Sequence, residues 1–228
     1  MLESRLGPSS LLRVPAGAVV ADVLRDAIVE GRLRPGDRLK QEDLMQYFGV
    51  SVGPVRESLR TLESEGIVVS AARRGYLVSD VTLEEVEFLL PIRLVLEQAA
   101  FTQLQQTLDE DVLRALRQRI EEIRDGASNN SIRQVNEADQ AFHEAVVLSC
   151  SRSPQAVRLW RLIMPRVRML FNMLTPMHRT LSAVAQEHEI LVQAVESGSQ
   201  ILLQTELDKH IRTQPQTLLQ AKIASPGH

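Results

Sequence analysis

Apolar positions in the first third of the chain change their period twice. Val19, Val20, Val23, Leu24, Ala27 and Ile28 recur at helical spacing and predict a first helix that stops at Gly31. Ahead of it, residues 1–17, with Gly7, Pro8, Ser9, Ser10, Pro15 and Gly17, have no period and read as a flexible arm. After a turn at Arg32-Leu33-Arg34-Pro35-Gly36, Gln41 to Phe48 forms a short helix expected to bury Leu44, Tyr47 and Phe48 and to end at Gly49. Ser51 stands where it can cap the next helix, Pro54 falls in its first turn, and Val55, Leu59 and Leu62 form its buried stripe. Arg56 and Arg60 lie four apart on one exposed flank. The period then drops to two over Ile67–Ser70 and Tyr76–Ser79, a hairpin with a basic tip at Arg73-Arg74-Gly75. Residues 18–79 thus read as a winged helix-turn-helix of three helices and a two-stranded wing.

From residue 82 the period is helical almost without interruption. Thr82 and Glu85 have capping-box spacing, and they open a second domain, 82–215, with a tail at 216–228. Helices are expected at about 82–107, 109–125, 131–150, 153–174, 177–197 and 199–213, an antiparallel six-helix bundle with Pro91 kinking the first helix. The fold class is mainly α.

Composition narrows the class of molecule. The lone Cys150 excludes an internal disulfide, no secretory leader is recognisable, and no apolar run approaches a membrane span, so the expected location is cytoplasmic. The net charge is -3, and residues 1–80 are neutral, with eleven Arg and Lys against eleven Asp and Glu. Affinity for nucleic acid must therefore come from individually placed arginines rather than bulk charge.

The inward stripes of the second domain hold polar residues at selected positions. Asp139 lies among Ile132, Val135, Phe142 and Val146, with His143 one turn on; His188 lies among Leu181, Val184, Leu191 and Val195; His210 lies beside Leu203, Leu207 and Ile211. A buried polar group without a partner costs on the order of 2–7 kcal/mol. Each imidazole could be a core residue bonded to a carbonyl. Together, three histidines and an aspartate are the donor types that hold a first-row divalent cation inside a helical bundle and leave positions open for water or an effector oxygen. His178 and His228 lie near a helix start and at the tail, outside this set. Arg93, on the stripe of Val86, Leu89, Leu96 and Ala100, could clamp a carboxylate or pair with Glu97. Arg166 and Arg168 read as solvated. Glu144, Glu187 and Glu189 read as surface residues, leaving no general base for a metalloenzyme, and a metal sensor in which the ion is itself the signal stands as a further alternative.

The string Gly49-Val50-Ser51-Val52-Gly53-Pro54-Val55-Arg56-Glu57-Ser58-Leu59-Arg60-Thr61-Leu62, within Leu39 to Gly75, resembles the winged helix of the GntR superfamily. Arg93 to Glu97, Asp139-Gln140-Ala141-Phe142-His143, His188 and His210 resemble its FCD ligand domain, and six helices resemble the VanR-type branch. The likeness spans about residues 18–213. It implies a homodimeric transcription regulator, typically a repressor of a catabolic or transport operon, bound to near-palindromic operator DNA and released by a small organic acid. That acid would sit between Arg93 and a Zn, Ni or Mn ion ligated by Asp139, His143, His188 and His210. DNA contact would fall to Ser51, Val52, Gly53, Arg56 and Arg60 of the recognition helix and to Arg73, Arg74 and Gly75 of the wing. Val52 replaces an arginine that reads guanine in most members, and Glu42 stands at a position that is arginine in some.

Overall fold

The computed structural model describes residues 15–71 and 75–224. They belong to two compact units, one ending at Asp80 and the other beginning at Val81. The wing tip residues Arg73 and Arg74, most of the N-terminal arm and the last four residues lie outside the described residues.

The first unit comprises α1 (Ala16–Val29), β1 (Arg38–Leu39), α2 (Gln41–Phe48), α3 (Val52–Ser64), β2 (Val68–Ala71) and β3 (Gly75–Val78). Val55, Leu59 and Leu62 are fully buried against Val20, Ala21, Leu24 and Ile28 of α1, as the helical period requires. The Arg25 guanidinium donates to both Glu65 carboxylate oxygens, at 2.6 and 2.7 Å, and ties α1 to the end of α3. Gly49 ends α2 in the left-handed region (φ 64°).

Four expectations change in this unit. The wing has three antiparallel strands rather than two, in the order β1-β3-β2, because Arg38 and Leu39 pair with Leu77 and Tyr76. Tyr47 is 79 % exposed, with its ring edge-on to Phe48, and α2 has no fully buried residue. Gly17 belongs to α1 rather than to an arm, and it is buried where a Cβ would lie 2.6 Å from Glu57 Oε2. Ser51 occupies the N-cap position of α3, but its side chain makes no capping bond.

The second unit holds α4 (Leu83–Thr107), α5 (Glu110–Ser128), α6 (Ile132–Cys150), α7 (Pro154–Leu174), a 3₁₀ turn (Thr175–Met177), α8 (Ser182–Glu196), α9 (Gln200–Asp208), a π-helical turn (Lys209–Thr213) and α10 (Gln214–Ala224). Side chains set the helix starts. Thr82 and Glu85 form the capping box of α4, and Asp109, Ser131, Ser153 and Ser199 cap α5, α6, α7 and α9. Phe101, Leu116, Phe142, Trp160, Leu191 and Leu207 meet in one core.

The bundle also departs from expectation at particular places. The last rod runs from α9 through the π turn into α10, so residues predicted as tail are helical to Ala224, and Leu219 packs with Val86, Leu90, Leu170 and Leu174. The helix of His188 begins at Ser182, five residues later than its period suggests. Arg166 is buried rather than solvated, because Glu85 takes its guanidinium in an ion pair. Pro91 and Pro165 lie inside α4 and α7, which continue past them.

Candidate functional site

Asp139 and His143 are one turn apart on α6, and the helical repeat alone puts them on one face. His188 comes from α8 and His210 from the π turn. One donor atom from each of the four lies within 4.8 Å of the other three. His143 Nε2 is 3.1 Å from His210 Nε2, and His188 Nε2 is 3.2 Å from Asp139 Oδ1. Neighbouring ligands on an ion with bonds of about 2.0–2.2 Å sit roughly this far apart. The π turn is itself informative, since such turns, mostly single insertions within α-helices, are frequent at functional sites.

The outer nitrogen of every ring faces an acceptor. His143 Nδ1 lies 2.6 Å from Glu97 Oε2, His188 Nδ1 donates to the Val184 carbonyl at 2.8 Å, and His210 Nδ1 donates to Glu187 Oε2 at 3.3 Å. An acceptor on Nδ1 fixes the proton there and leaves Nε2 as a lone pair directed inward. Two such lone pairs 3.1 Å apart, on His143 and His210, repel unless a cation lies between them. His188 Nε2 and Asp139 Oδ2 are buried and make no hydrogen bond among the described residues. The donor set therefore fits a divalent cation on the chemistry of its own atoms.

Ionisation agrees with that geometry. Burial lowers the His143 pKa to about 4, against the opposing pull of Glu97, and burial likewise lowers His210. Burial would raise Asp139 and Glu97, but the imidazole of His188 beside Asp139, and the Arg93 guanidinium with His143 beside Glu97, hold both well below the usual carboxylate range. A neutral His143 and His210 beside an ionised Asp139 are protonation states a cation requires.

Behind His143 the buried Glu97 gathers three partners. Its Oε1 accepts from Arg93 Nε at 2.6 Å and from Trp160 Nε1 at 2.9 Å, while Oε2 meets His143. Of the two roles open to Arg93 in the sequence, the ion pair with Glu97 is made, yet only through Nε. Nη1 and Nη2 are buried without a hydrogen-bond partner among the described residues, and the guanidinium carbon stands 5.0 Å from the Phe171 ring centre.

A small cavity adjoins Asp139 and His210, walled by Asn136, Thr175, His178, Glu187 and Gln214 on its polar side and by Phe171, Leu174 and Leu218 on its apolar side. Its volume of about 30 Å³ has room for about two waters. Sequence reasoning missed much of this wall. His178 lies 3.6 Å from Glu187 Oε1, and Glu187 is mostly buried, accepting also from Gln214 at 2.5 Å, rather than standing at the surface. The one available signal was Gln214 four residues beyond His210, on the same helical face. Glu97 and Trp160 meet only through tertiary packing.

In the first unit Ser51, Val52, Gly53, Arg56, Arg60 and Gly75 are all exposed, so the folded chain leaves them open to a partner. Arg56 Nε donates to Gln41 Oε1 at 3.2 Å, across from the start of α3 to the start of α2.

Residues 17–78 match the family of bacterial regulatory proteins of the gntR type, and residues 88–213 match the FCD domain. The HTH-type transcriptional regulator BphR of Paraburkholderia xenovorans is 34 % identical over 176 residues, 72 % of this chain and 69 % of that protein. The gluconate operon transcriptional repressor of Bacillus subtilis is 26 % identical over 211 residues, 89 % of this chain and 86 % of the repressor. A solved structure from Rhodococcus sp. RHA1, assigned to the GntR regulators, superposes with a TM-score of 0.80 at 25 % identity over 91 % of this chain and 99 % of that one. No helix of the described residues is long and apolar enough to cross a membrane. With both halves matched in order, this chain belongs to the GntR family of transcriptional regulators and carries an FCD domain.

Proposed function

We propose that this GntR-type regulator acts as a homodimeric repressor whose hold on a near-palindromic operator is set by a small carboxylate bound beside a divalent cation. Zinc suits three imidazoles and one carboxylate best, with nickel or manganese as alternatives. The observation that carries this reading is the inward convergence of three Nε2 lone pairs and an Asp139 oxygen, each ring held from behind by an acceptor. Asp139, His143, His188 and His210 would hold the ion, which would supply a Lewis-acidic anchor for an effector oxygen. Arg93 would offer Nη1 and Nη2 to the carboxylate, since both are buried and otherwise without a partner. The cavity is too small for an organic acid of more than a few atoms, so an effector enters by displacing the walls on α7, α8 and α10. That displacement is the physical source of a coupling of roughly 1–3 kcal/mol to DNA affinity.

On the DNA side, Ser51, Val52, Gly53, Arg56 and Arg60 would meet the major groove, and Arg73, Arg74 and Gly75 the backbone or minor groove. Val52 cannot read a base edge by hydrogen bonding, which leaves Arg56 as the main polar group at the start of α3. The gluconate operon relative, a repressor, supports the sign of regulation.

The test is a thermal-shift screen of short organic acids on purified protein of measured metal content, repeated after chelation, with operator retardation in parallel. The expected result is an acid that raises the melting temperature and weakens DNA binding only while metal is bound. An acid response indifferent to chelation would overturn the metal-anchored effector, and DNA affinity that follows metal alone would make the ion the signal.

A further inference from the structure

Between α1 and α2 the first unit contains a cleft of about 350 Å³, bordered by the turn that joins the two helices. Leu24, Ala27 and Leu39 line it and are buried, and Leu33, Leu44 and Phe48 line it half-buried. The Leu33 N–H donates to the Ala27 carbonyl at 2.9 Å, which pins the turn to the end of α1. The cleft explains why α2 fails to bury the residues its period marks as core: Leu44, Tyr47 and Phe48 border this space instead of closing it. Small-molecule pockets run from about 300 to about 1,000 Å³, so the space has the size of a ligand site rather than of a packing defect.

Charge at the rim selects the occupant. Arg32, Arg38 and Lys40 border the cleft, against one carboxylate, Asp43. Glu30 holds Arg32 Nε at 2.7 Å, and Lys40 reaches Asp43 only at 3.9 Å. Arg38, which β1 fixes opposite Leu77, is exposed and has no ion-pair partner among the described residues. A neutral apolar molecule would fill the cleft and leave this cation unused. A nucleic-acid phosphate would meet the cations and leave the apolar lining wet. An apolar body ending in one anionic group satisfies both halves of the site.

We propose that the cleft between α1 and α2 binds an amphiphilic monocarboxylate, an aliphatic or aromatic body whose carboxylate meets Arg38 at the rim. Every lining residue belongs to the first unit, so this position is separate from the one proposed for an effector beside the cation of the bundle. Its occupant would also lie behind the DNA-facing side of the unit. Helix α2, one wall of the cleft, supplies Gln41, whose side-chain oxygen accepts from Arg56 of α3.

Calorimetric titration of the full chain with octanoate tests the site, with octanol and octylamine as neutral and cationic analogues. Octanoate should bind about tenfold or more tighter than octanol, and octylamine more weakly still. Arg38→Glu, at an exposed position that leaves the apolar lining intact, should weaken octanoate by about tenfold to a hundredfold, whereas Arg38→Lys should keep most of the affinity. Leu44→Trp, which fills the cleft, should abolish binding, and the Arg38 pair keeps the test decisive should that variant fail to fold. A wild type that takes up no octanoate at about 5 mM would overturn the site. Octanoate binding untouched by Arg38→Glu would overturn it too, by placing the ligand elsewhere, and octanol or octylamine binding as tightly would overturn the choice of an anion. None of these results bears on the metal-anchored effector, which is read by its response to chelation.

Discussion

The recognition helix α3 buries Val55, Ser58, Leu59 and Leu62 and none of its charged residues, whereas α4 and α6 bury Arg93, Glu97, Asp139 and His143 in the same layer as Phe101 and Phe142. The first arrangement separates two tasks. Apolar side chains hold the winged unit together, and the residues available to DNA can change without disturbing the core. In the bundle, on the proposed reading, one set of residues does both, because a buried charge is tolerated only while its partners are in place. Chemistry in the bundle is therefore coupled to its stability, and chemistry on α3 is not.

The largest effect should come from breaking the bundle's network at its centre. Glu97→Ala leaves Arg93 as an uncompensated buried cation and strips His143 and Trp160 of an acceptor, at a cost of about 3–5 kcal/mol. Calorimetry should show the bundle melting roughly 10 °C or more lower. A loss under about 1 kcal/mol would mean that the buried charges are not what holds this layer together.

Metal removal comes next. If the bundle binds its ion as proposed, with free ion at a hundredfold excess over its dissociation constant, chelation or His143→Ala should cost about 3 kcal/mol. The loss should fall on the bundle's transition, with operator binding by the winged unit tested separately. Equal melting of metal-loaded and metal-free protein would leave the imidazole cluster as a plain core feature.

Arg56→Ala is the matching change on the exposed side. It should weaken operator binding by about 1–3 kcal/mol in a retardation assay and leave the melting temperature where it was, because among the described residues Arg56 bonds to Gln41 alone. A stability loss comparable to its binding loss would erase the distinction between the two units.

The same contrast explains what could be read from the amino acids. The α3 stripe and the inward stripes that carry Asp139, His143, His188 and His210 were legible because a helix fixes which side chains share a face, whereas their meeting at one point was only what the family resemblance implied. Strand β1 was not, since two residues carry no period and become a strand only by pairing with β3. The continuation past Thr213 was hidden by Pro215, which reads as a stop; here it falls just after a π turn, where the hydrogen-bond register has already shifted and its missing N–H is tolerated. The pairing of Glu97 with Arg93 was legible at four residues' spacing, but its contact with Trp160 and that of Glu187 with His210 join residues tens of positions apart, and no local pattern announces them.

Tyr47 gives the smallest and most local test. Its place in the period of α2 predicts a core residue, and a buried tyrosine cut to alanine would cost roughly 3 kcal/mol or more. The fold instead leaves it 79 % exposed, with the ring of Phe48 as its aromatic neighbour. Tyr47→Ala should therefore shift stability by no more than about 0.5 kcal/mol, a degree or two in melting temperature. Because α2 is short and has no fully buried residue, a larger loss would mean that something outside the described winged unit covers the tyrosine in solution, and the exposed apolar surface at Val19, Val23 and Tyr47 would then have to be counted as an interface rather than as solvated.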